Sequence, residues 1–417
     1  MRASNWQVRR SWFLGVLLLL SAGVHGGQPG LTDVERLMRE AEESWSQGHL
    51  EQALEQYGQA LTRVRQIGER GREWQILDRM GRISLEGDQF PQALEHFQQS
   101  LNVALDLGDR AAQAVQLAAI GETYNLLQQR YQAITTYESL LALEEERQDV
   151  AGQWRAYYGL GFSHKANDAP AQAVPYVERA LELARRLGDQ SLELASLQEI
   201  EADYAGLGDY AQVARYSEEI VQLARVIGDR RLAADKLATS GYAYEQAGSL
   251  ARAAAQYQAA LETSRDLGDT RGEWRALDDL GRVALNQGDA DGALRRYQQA
   301  LQLARQADFR EGQVMALEHT AAVYRSAKDY EKASQSYEEA LKAARETKLR
   351  EYEWLVLSDL GSLAVEMGNT KDAVAHYQQA LKVVRQIGDK DAEKQLRDAM
   401  AQLGKPAESD PKPRRKR

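Results

Sequence analysis

Apolar positions along this chain recur on two scales, and the shorter one is helical. From Thr270 to Phe309, the residues Leu277, Leu280, Gly281 and Ala284 fall at i, i+3, i+4 and i+7, one face of a 3.6-residue period. A second run places Ala293, Tyr297, Ala300, Leu301 and Ala304 on one face. Gly288-Asp289 separates the runs: glycine supplies a left-handed C-cap and aspartate an N-cap. The spacing predicts two helices joined by a tight turn. Thr270 and Glu273 offer a capping box at the start of the first.

The longer scale is a repeat of 40 residues. Ala293, Tyr297, Ala300 and Leu301 return as Ala53-Tyr57-Ala60-Leu61, Ala253-Tyr257-Ala260-Leu261, Ala333-Tyr337-Ala340-Leu341 and Ala373-Tyr377-Ala380-Leu381. Ala93, Phe97 and Leu101, then Ala133, Tyr137 and Leu141, carry the same marks. The period accommodates nine copies, usually separated by another Gly-Asp, as at Gly108-Asp109, Gly188-Asp189, Gly228-Asp229, Gly268-Asp269 and Gly388-Asp389. A fixed period of this size predicts an all-α solenoid in which each unit buries its apolar face against its neighbours. Small residues at the Gly281 and Ala293 positions let the two helix backbones approach, and Tyr297 and Leu301 fill the space between. The fifth copy departs most: Glu201 stands at the glycine position, Val213 at the small one and Ser217 at the aromatic one. The smaller serine leaves room for the glutamate. A buried carboxylate still needs a partner, so this copy is expected to open more readily than its neighbours and to act as a hinge.

The order Leu277, Leu280-Gly281, Ala293, Tyr297, Ala300-Leu301 resembles the tetratricopeptide repeat. The 40-residue spacing is similar to the longer variety found in cell-polarity scaffolds and bacterial tandem arrays. The resemblance covers residues 31–404. It implies a right-handed superhelix whose first helices line a concave groove that binds a peptide or a partner protein. It further implies that the groove is lined by residues one and four after the Gly281 position and three before it. Those positions hold Asp78 and Arg82 with Leu85, Tyr158, Phe162 and Lys165 with Arg155 a turn earlier, Tyr242 and Glu245, Asp278 and Arg282 with Leu285, and Glu318 and Arg325. Asp78 with Arg82, and Asp278 with Arg282, have the i, i+4 spacing of a weak surface pair that a partner's charges can replace.

The two ends read differently. Arg2, Arg9 and Arg10 precede a short apolar core, Trp12 to Leu20, and small residues follow at Ser21, Gly23, Val24 and Gly26. Residues 1–26 are therefore expected to be a secretory signal, cut after Gly23 or Gly26. An uncleaved anchor is the other reading of the same segment, and Arg9-Arg10 also resembles a twin-arginine signal. No cysteine follows the apolar core, which excludes a lipoprotein. After the ninth unit, Leu396, Met400, Ala401 and Leu403 form the apolar stripe of one more helix, a solvating cap. Residues 405–417 hold Pro406, Pro411 and Pro413 and a run of basic residues from Arg414 to Arg417, a composition expected to be disordered. The tail reads as solvated or as a contact for an anionic surface.

Charge and chemistry narrow the function. The formal charge is −10; setting aside +3 at the first end and +4 in the tail leaves −17 on the array, which repels nucleic acid. There is no cysteine, so no disulfide and no thiolate metal site. No catalytic or phosphate-binding motif is present, and no cofactor or metal is expected. His164 stands where other copies have Tyr124, Tyr204, Tyr244 and Tyr324, which marks it as a packed helix residue. Trp74, Trp154, Trp274 and Trp354 share one register at the start of first helices and are expected to staple onto the preceding unit, while Trp45 faces the groove. Together these features predict an exported, periplasmic or secreted, non-enzymatic scaffold that holds a protein or peptide, with no membrane span once the signal is removed. The alternative is a regulatory or sensor subunit for a separately encoded enzyme such as a protease-like effector. The partner and the oligomeric state carry no signature in the sequence.

Overall fold

The computed structural model describes residues 29–166 and 169–403, so the expected signal, the basic tail and their boundaries lie outside the described residues. The described residues form nineteen α-helices and no strand. The described residues divide into two compact units, residues 29–166 and 169–403. The first holds α1 (Pro29–Ser46), α2 (Leu50–Ile67), α3 (Arg70–Glu86), α4 (Phe90–Asp106), α5 (Arg110–Leu126), α6 (Arg130–Arg147) and α7 (Val150–Ala166). The second holds α8 (Pro170–Leu187), α9 (Gln190–Leu207), α10 (Tyr210–Ile227), α11 (Arg230–Gln246), α12 (Leu250–Leu267), α13 (Thr270–Asn286), α14 (Ala290–Gln306), α15 (Arg310–Ser326), α16 (Tyr330–Glu346), α17 (Arg350–Glu366), α18 (Thr370–Ile387) and α19 (Lys390–Leu403). Odd-numbered helices up to α17 are the first helices of the repeats and even-numbered ones the second. Within each unit every helix packs on the next in sequence, and first helices of adjacent repeats also touch from α3 to α7 and from α11 to α17.

The turns form as the sequence predicts, with one correction. Gly268 has φ of +67°, a conformation that glycine adopts without strain, and the neighbouring Asp269 caps α13 by accepting from the Gly272 amide at 3.1 Å. The expected Thr270–Glu273 capping box does not form. Thr270 is already inside the helix, and Glu273 is drawn away to the Arg265 guanidinium at 2.8 Å.

In the second, third, sixth, seventh and ninth repeats the glycine and aromatic marks prove to be one contact. A Cβ added at Gly281 would lie 2.6 Å from the Tyr297 ring, and one at Gly361 would lie 2.6 Å from Tyr377. Gly81 meets Phe97 and Gly241 meets Tyr257 in the same way. In these repeats the ring of the second helix therefore packs against the backbone of its first helix, and its area is almost wholly removed from water. The fifth repeat replaces this contact by a polar one. Ser217 Oγ donates to Glu201 and Lys236 of α11 forms an ion pair with the same carboxylate, all three side chains largely buried. The glutamate has found its partners. The two units meet in sequence within the fourth repeat, between α7 and α8.

A second recurring contact ties one repeat to the next. Arg65 reaches Glu73 at 2.7 Å, Arg185 reaches Glu193 at 2.9 Å, Arg345 reaches Glu353 at 2.9 Å and Arg385 reaches Glu393 at 2.8 Å. Each joins the end of a second helix to the start of the next first helix. Where glutamine replaces the glutamate, its amide donates to a backbone carbonyl of the preceding helix, as Gln113 does to Ala104 at 3.2 Å and Gln313 to Ala304 at 3.1 Å. The tryptophan register is only partly a staple onto the preceding repeat. Trp274 meets Phe309, at the turn into the next repeat, edge-to-face at 5.4 Å, and Trp154 stacks on Tyr158 of its own helix. In α19, Leu396, Met400 and Leu403 pack on the ninth repeat as expected, but Ala401 is exposed and Ala392 and Ala399 take the inward positions.

Candidate functional site

In the first unit the stripe of first-helix residues is already cross-linked. Asp78 and Arg82 form the expected pair at 2.8 Å. Asp78 is buried and also accepts from Gln116 of α5 at 3.2 Å. Trp45 donates its indole N–H to Glu86 of α3 at 2.8 Å, with the Arg79 guanidinium 6.0 Å from its ring. In α7 Arg155 is exposed, whereas Tyr158 lies on the Trp154 ring with centroids 5.0 Å apart. Phe162 and Lys165 are half-buried. Register alone makes Phe162 an exposed aromatic; its helix turns it partly into the packing.

In the second unit the stripe carries a chain of charges across four consecutive first helices. Tyr242 of α11 is 46% exposed and meets Tyr210 edge-on at 6.0 Å. Glu245 forms an ion pair with Arg282 of α13 and accepts from Asn286 at 3.1 Å and from Tyr257 at 3.3 Å. The expected pairing of Asp278 with Arg282 is not made. Arg282 turns to Glu245 and Asp279, and Asp278 instead meets His319 Nδ1 of α15 at 2.6 Å. Glu318, also on α15, hydrogen-bonds Asp359 of α17. Arg325 closes the row, reaching Glu366 of α17 at 2.6 Å and Asp359 at 4.0 Å.

Six carboxyl groups in this row face two guanidinium groups and one imidazole, and burial makes that imbalance count. Burial pushes the Asp279 carboxyl up to about 6, against the pull of Arg282. Burial and the charge of Asp359 push Glu318 up to about 7, and burial raises Asp359 as well, so the two carboxyls share a proton near neutrality. Burial works against the charged form of His319, but the hydrogen bond and charge of Asp278 and the charge of Glu318 outweigh it and raise its pKa. Both shifts carry the same sign for stability. Glu318 contributes stability that is full below its ordinary 4.5 and is lost as pH rises through about 7. His319 contributes stability that is full below its ordinary 6.5 and is lost as pH rises through its raised value. Glu318→Gln is therefore expected to flatten the fall in urea midpoint across that window relative to the parent chain. An unchanged pH profile would contradict the shared proton.

Sequence reasoning places Asp278, Arg282, Glu318 and Arg325 on this stripe and misses Asp279, His319, Asp359 and Glu366. A signal for them is present. Trp45–Glu86, Glu245–Asn286, Asp278–His319, Glu318–Asp359 and Arg325–Glu366 are all 41 residues apart, one repeat plus one. Among the described residues no group of acidic, histidine or cysteine side chains could hold a metal ion, and no helix is long and apolar enough to cross a membrane. His164 is half-buried in α7.

A profile for the tetratricopeptide repeat matches residues 275–346 and 313–386, within the seventh to ninth repeats. No curated protein matches the chain. Among solved structures it is similar to BtubC from P. vanneervenii at 19% identity, over 60% of this chain and 96% of that one, with a TM-score of 0.43. It is also similar to a signal-transduction ATPase with a tetratricopeptide repeat sensor from Pyrococcus horikoshii, at 14% identity over 89% of this chain and 55% of that one, with a TM-score of 0.47. A tetratricopeptide repeat protein from Parabacteroides merdae is 17% identical over 68% of this chain and 99% of that one, with a TM-score of 0.40. The helix pairs recur at 40-residue spacing through the described residues, and the chain is a tandem array of tetratricopeptide repeats.

Proposed function

We propose that this array is an exported, non-enzymatic scaffold that holds a peptide or partner protein along its first helices. The observation that supports this reading most is the charged row from Glu245 to Glu366. Its groups span four repeats, and side chains that packing does not require, such as Tyr242, stand exposed among them. A row of exchangeable ion pairs beside exposed apolar groups suits an extended or helical segment that brings its own charges and anchors. Arg155, Tyr158, Phe162 and Lys165 form the corresponding stripe in the first unit. A regulatory subunit of a separate enzyme would use the same surface.

Capture from a cell-envelope extract tests the reading. Arg155→Ala with Phe162→Ala, and separately Tyr242→Ala, should weaken capture by about 2 kcal/mol if the residue is an anchor, with the melting temperature nearly unchanged. Capture that survives while the melting temperature falls assigns these residues to packing. N-terminal sequencing of protein from its native host reads the export step: the mature chain should start shortly after Gly23 or Gly26, and a cytoplasmic chain starting at Met1 would contradict export.

A further inference from the structure

The helices α15 and α17 meet in two different ways. Behind the stripe both pack on α16: Val314 and Leu317, Tyr337 and Ala340, and Val356 and Leu360 belong to one apolar cluster. On the stripe they meet through polar groups. Glu318 hydrogen-bonds Asp359, Arg325 reaches Glu366 at 2.6 Å, and the Tyr352 hydroxyl donates to Met315 Sδ at 3.7 Å. A hydrogen bond between two carboxyls holds one proton; with both ionised, the same half-buried contact becomes a repulsion. The cations around the pair are already engaged. Arg325 lies 4.0 Å from Asp359 and binds Glu366 more closely. His319 turns to Asp278 of α13, with the Tyr297 ring of α14 5.3 Å away. Arg282 of α13 serves Glu245 and Asp279. From α16, Tyr337 faces the pair, and burial keeps its phenol neutral, pushed up to about 12. Glu311 and Glu351 act on Tyr352. On the far side of α17, α18 brings Tyr377, whose hydroxyl meets that of Ser362 at 3.1 Å.

We propose that Glu318 and Asp359 are a pH-operated latch on the stripe: with their shared proton in place they hold α15 to α17 there, and its loss lets the two helices splay about the α16 core. Both carboxyls are raised, Glu318 to about 7, so the latch is closed in mild acid and opens as pH rises through about 7. At the joint with α13, His319 works in the same direction. Its raised pKa keeps the charged pair with Asp278 below that value and releases it above. Arg325 and Glu366 stay charged throughout, since each is shifted toward its ionised form, and their pair limits the opening. An opening of about 1–2 Å has the size of an ordinary helix shift at an interface. It resets the spacing of the side chains that a partner meets. That consequence rests on the reading of the stripe as a binding surface; the latch itself does not.

The chain has no cysteine, so introduced ones are labelled cleanly. Spin labels at Ala327→Cys and Met367→Cys, exposed positions just past α15 and α17, report the distance between the two first helices in the full chain. Labels at Lys342→Cys and Lys382→Cys, exposed on α16 and α18, report the second helices of the same repeats. Between about pH 5 and about pH 8 the first distance should lengthen by about 1–2 Å, with its midpoint near 7, and the second should stay constant. In Glu318→Gln the amide donates to Asp359 as the protonated carboxyl does, so the short distance should persist at both pH values. Asp359→Asn should do the same and covers the case in which the first variant fails to fold. A first distance that is constant in the parent chain, or that still lengthens in both variants, overturns the proposal. So does an equal change in both distances, which is a general loosening of the repeats. The outcome is separable from partner capture. A latch that fails while the stripe still captures its partner leaves the scaffold reading standing, and a working latch without capture removes the scaffold reading alone.

Discussion

Lys236→Ala is expected to cost the second unit about 3 kcal/mol or more, because it strands the buried Glu201 carboxylate with only Ser217 as a partner. The register explains why the pair is a local solution rather than a general requirement. The position of Lys236 is alanine in the fourth, seventh and eighth repeats, as Ala156, Ala276 and Ala316, and the position of Glu201 is glycine in most others. The triple change Glu201→Gly, Ser217→Tyr and Lys236→Ala restores the regular contact in which a ring lies on a glycine backbone. It is expected to recover the stability that Lys236→Ala loses, since a buried ion pair replaced by well-packed apolar groups is often neutral or better. Urea denaturation of the three chains checks this. If Lys236→Ala is silent, the pair does not hold the repeat. If the triple variant is less stable than the single one, the glycine–aromatic contact does not transfer between repeats.

Tyr297→Ala should cost about 3–5 kcal/mol, the largest effect expected of a single core change in the regular repeats. The ring is buried against Gly281, and its other side lies 5.3 Å from the His319 ring of the next repeat. No neighbour can collapse into the space, because the backbone of α13 and that of α14 are held by their own hydrogen bonds. Tyr297→Phe keeps the ring and should cost far less. Since each repeat touches only its neighbours, hydrogen exchange should show the loss concentrated in the seventh and eighth repeats. A uniform rise in exchange across residues 168–403, or a cost below about 1 kcal/mol, would contradict the packing account.

The fold is legible in the sequence because its signal is redundant. Each glycine–tyrosine pair is a local steric match, and the same match recurs in register, so errors in one copy are corrected by the others. The turns are legible for a similar reason: glycine in a left-handed conformation and an aspartate cap are chemical requirements with few substitutes. The stripe is legible only in outline. Register tells which residues lie on it, but a side chain's partner depends on the helix one repeat away. Asp278 looks paired with Arg282 on its own helix, yet the closer neighbour is His319, 41 residues on. His319 escapes notice because a single histidine carries no pattern, and Asp279, Asp359 and Glu366 because they resemble the many solvated acids of the outer faces. The Arg–Glu contacts between repeats, eight residues apart, are hidden because that spacing crosses a turn and belongs to neither helix period.

Site-specific photo-crosslinking tests the central claim, that the first-helix stripe receives the partner. One crosslinker replaces Tyr242, on the stripe and 46% exposed. The other replaces Val226, at the end of the second helix α10 and 71% exposed. Both positions lie in the second unit and are open to solvent, so accessibility alone favours Val226. In the native host, the account predicts a partner adduct from position 242 and none from position 226. An adduct from position 226 with none from position 242 would place binding on the outer helices and contradict it.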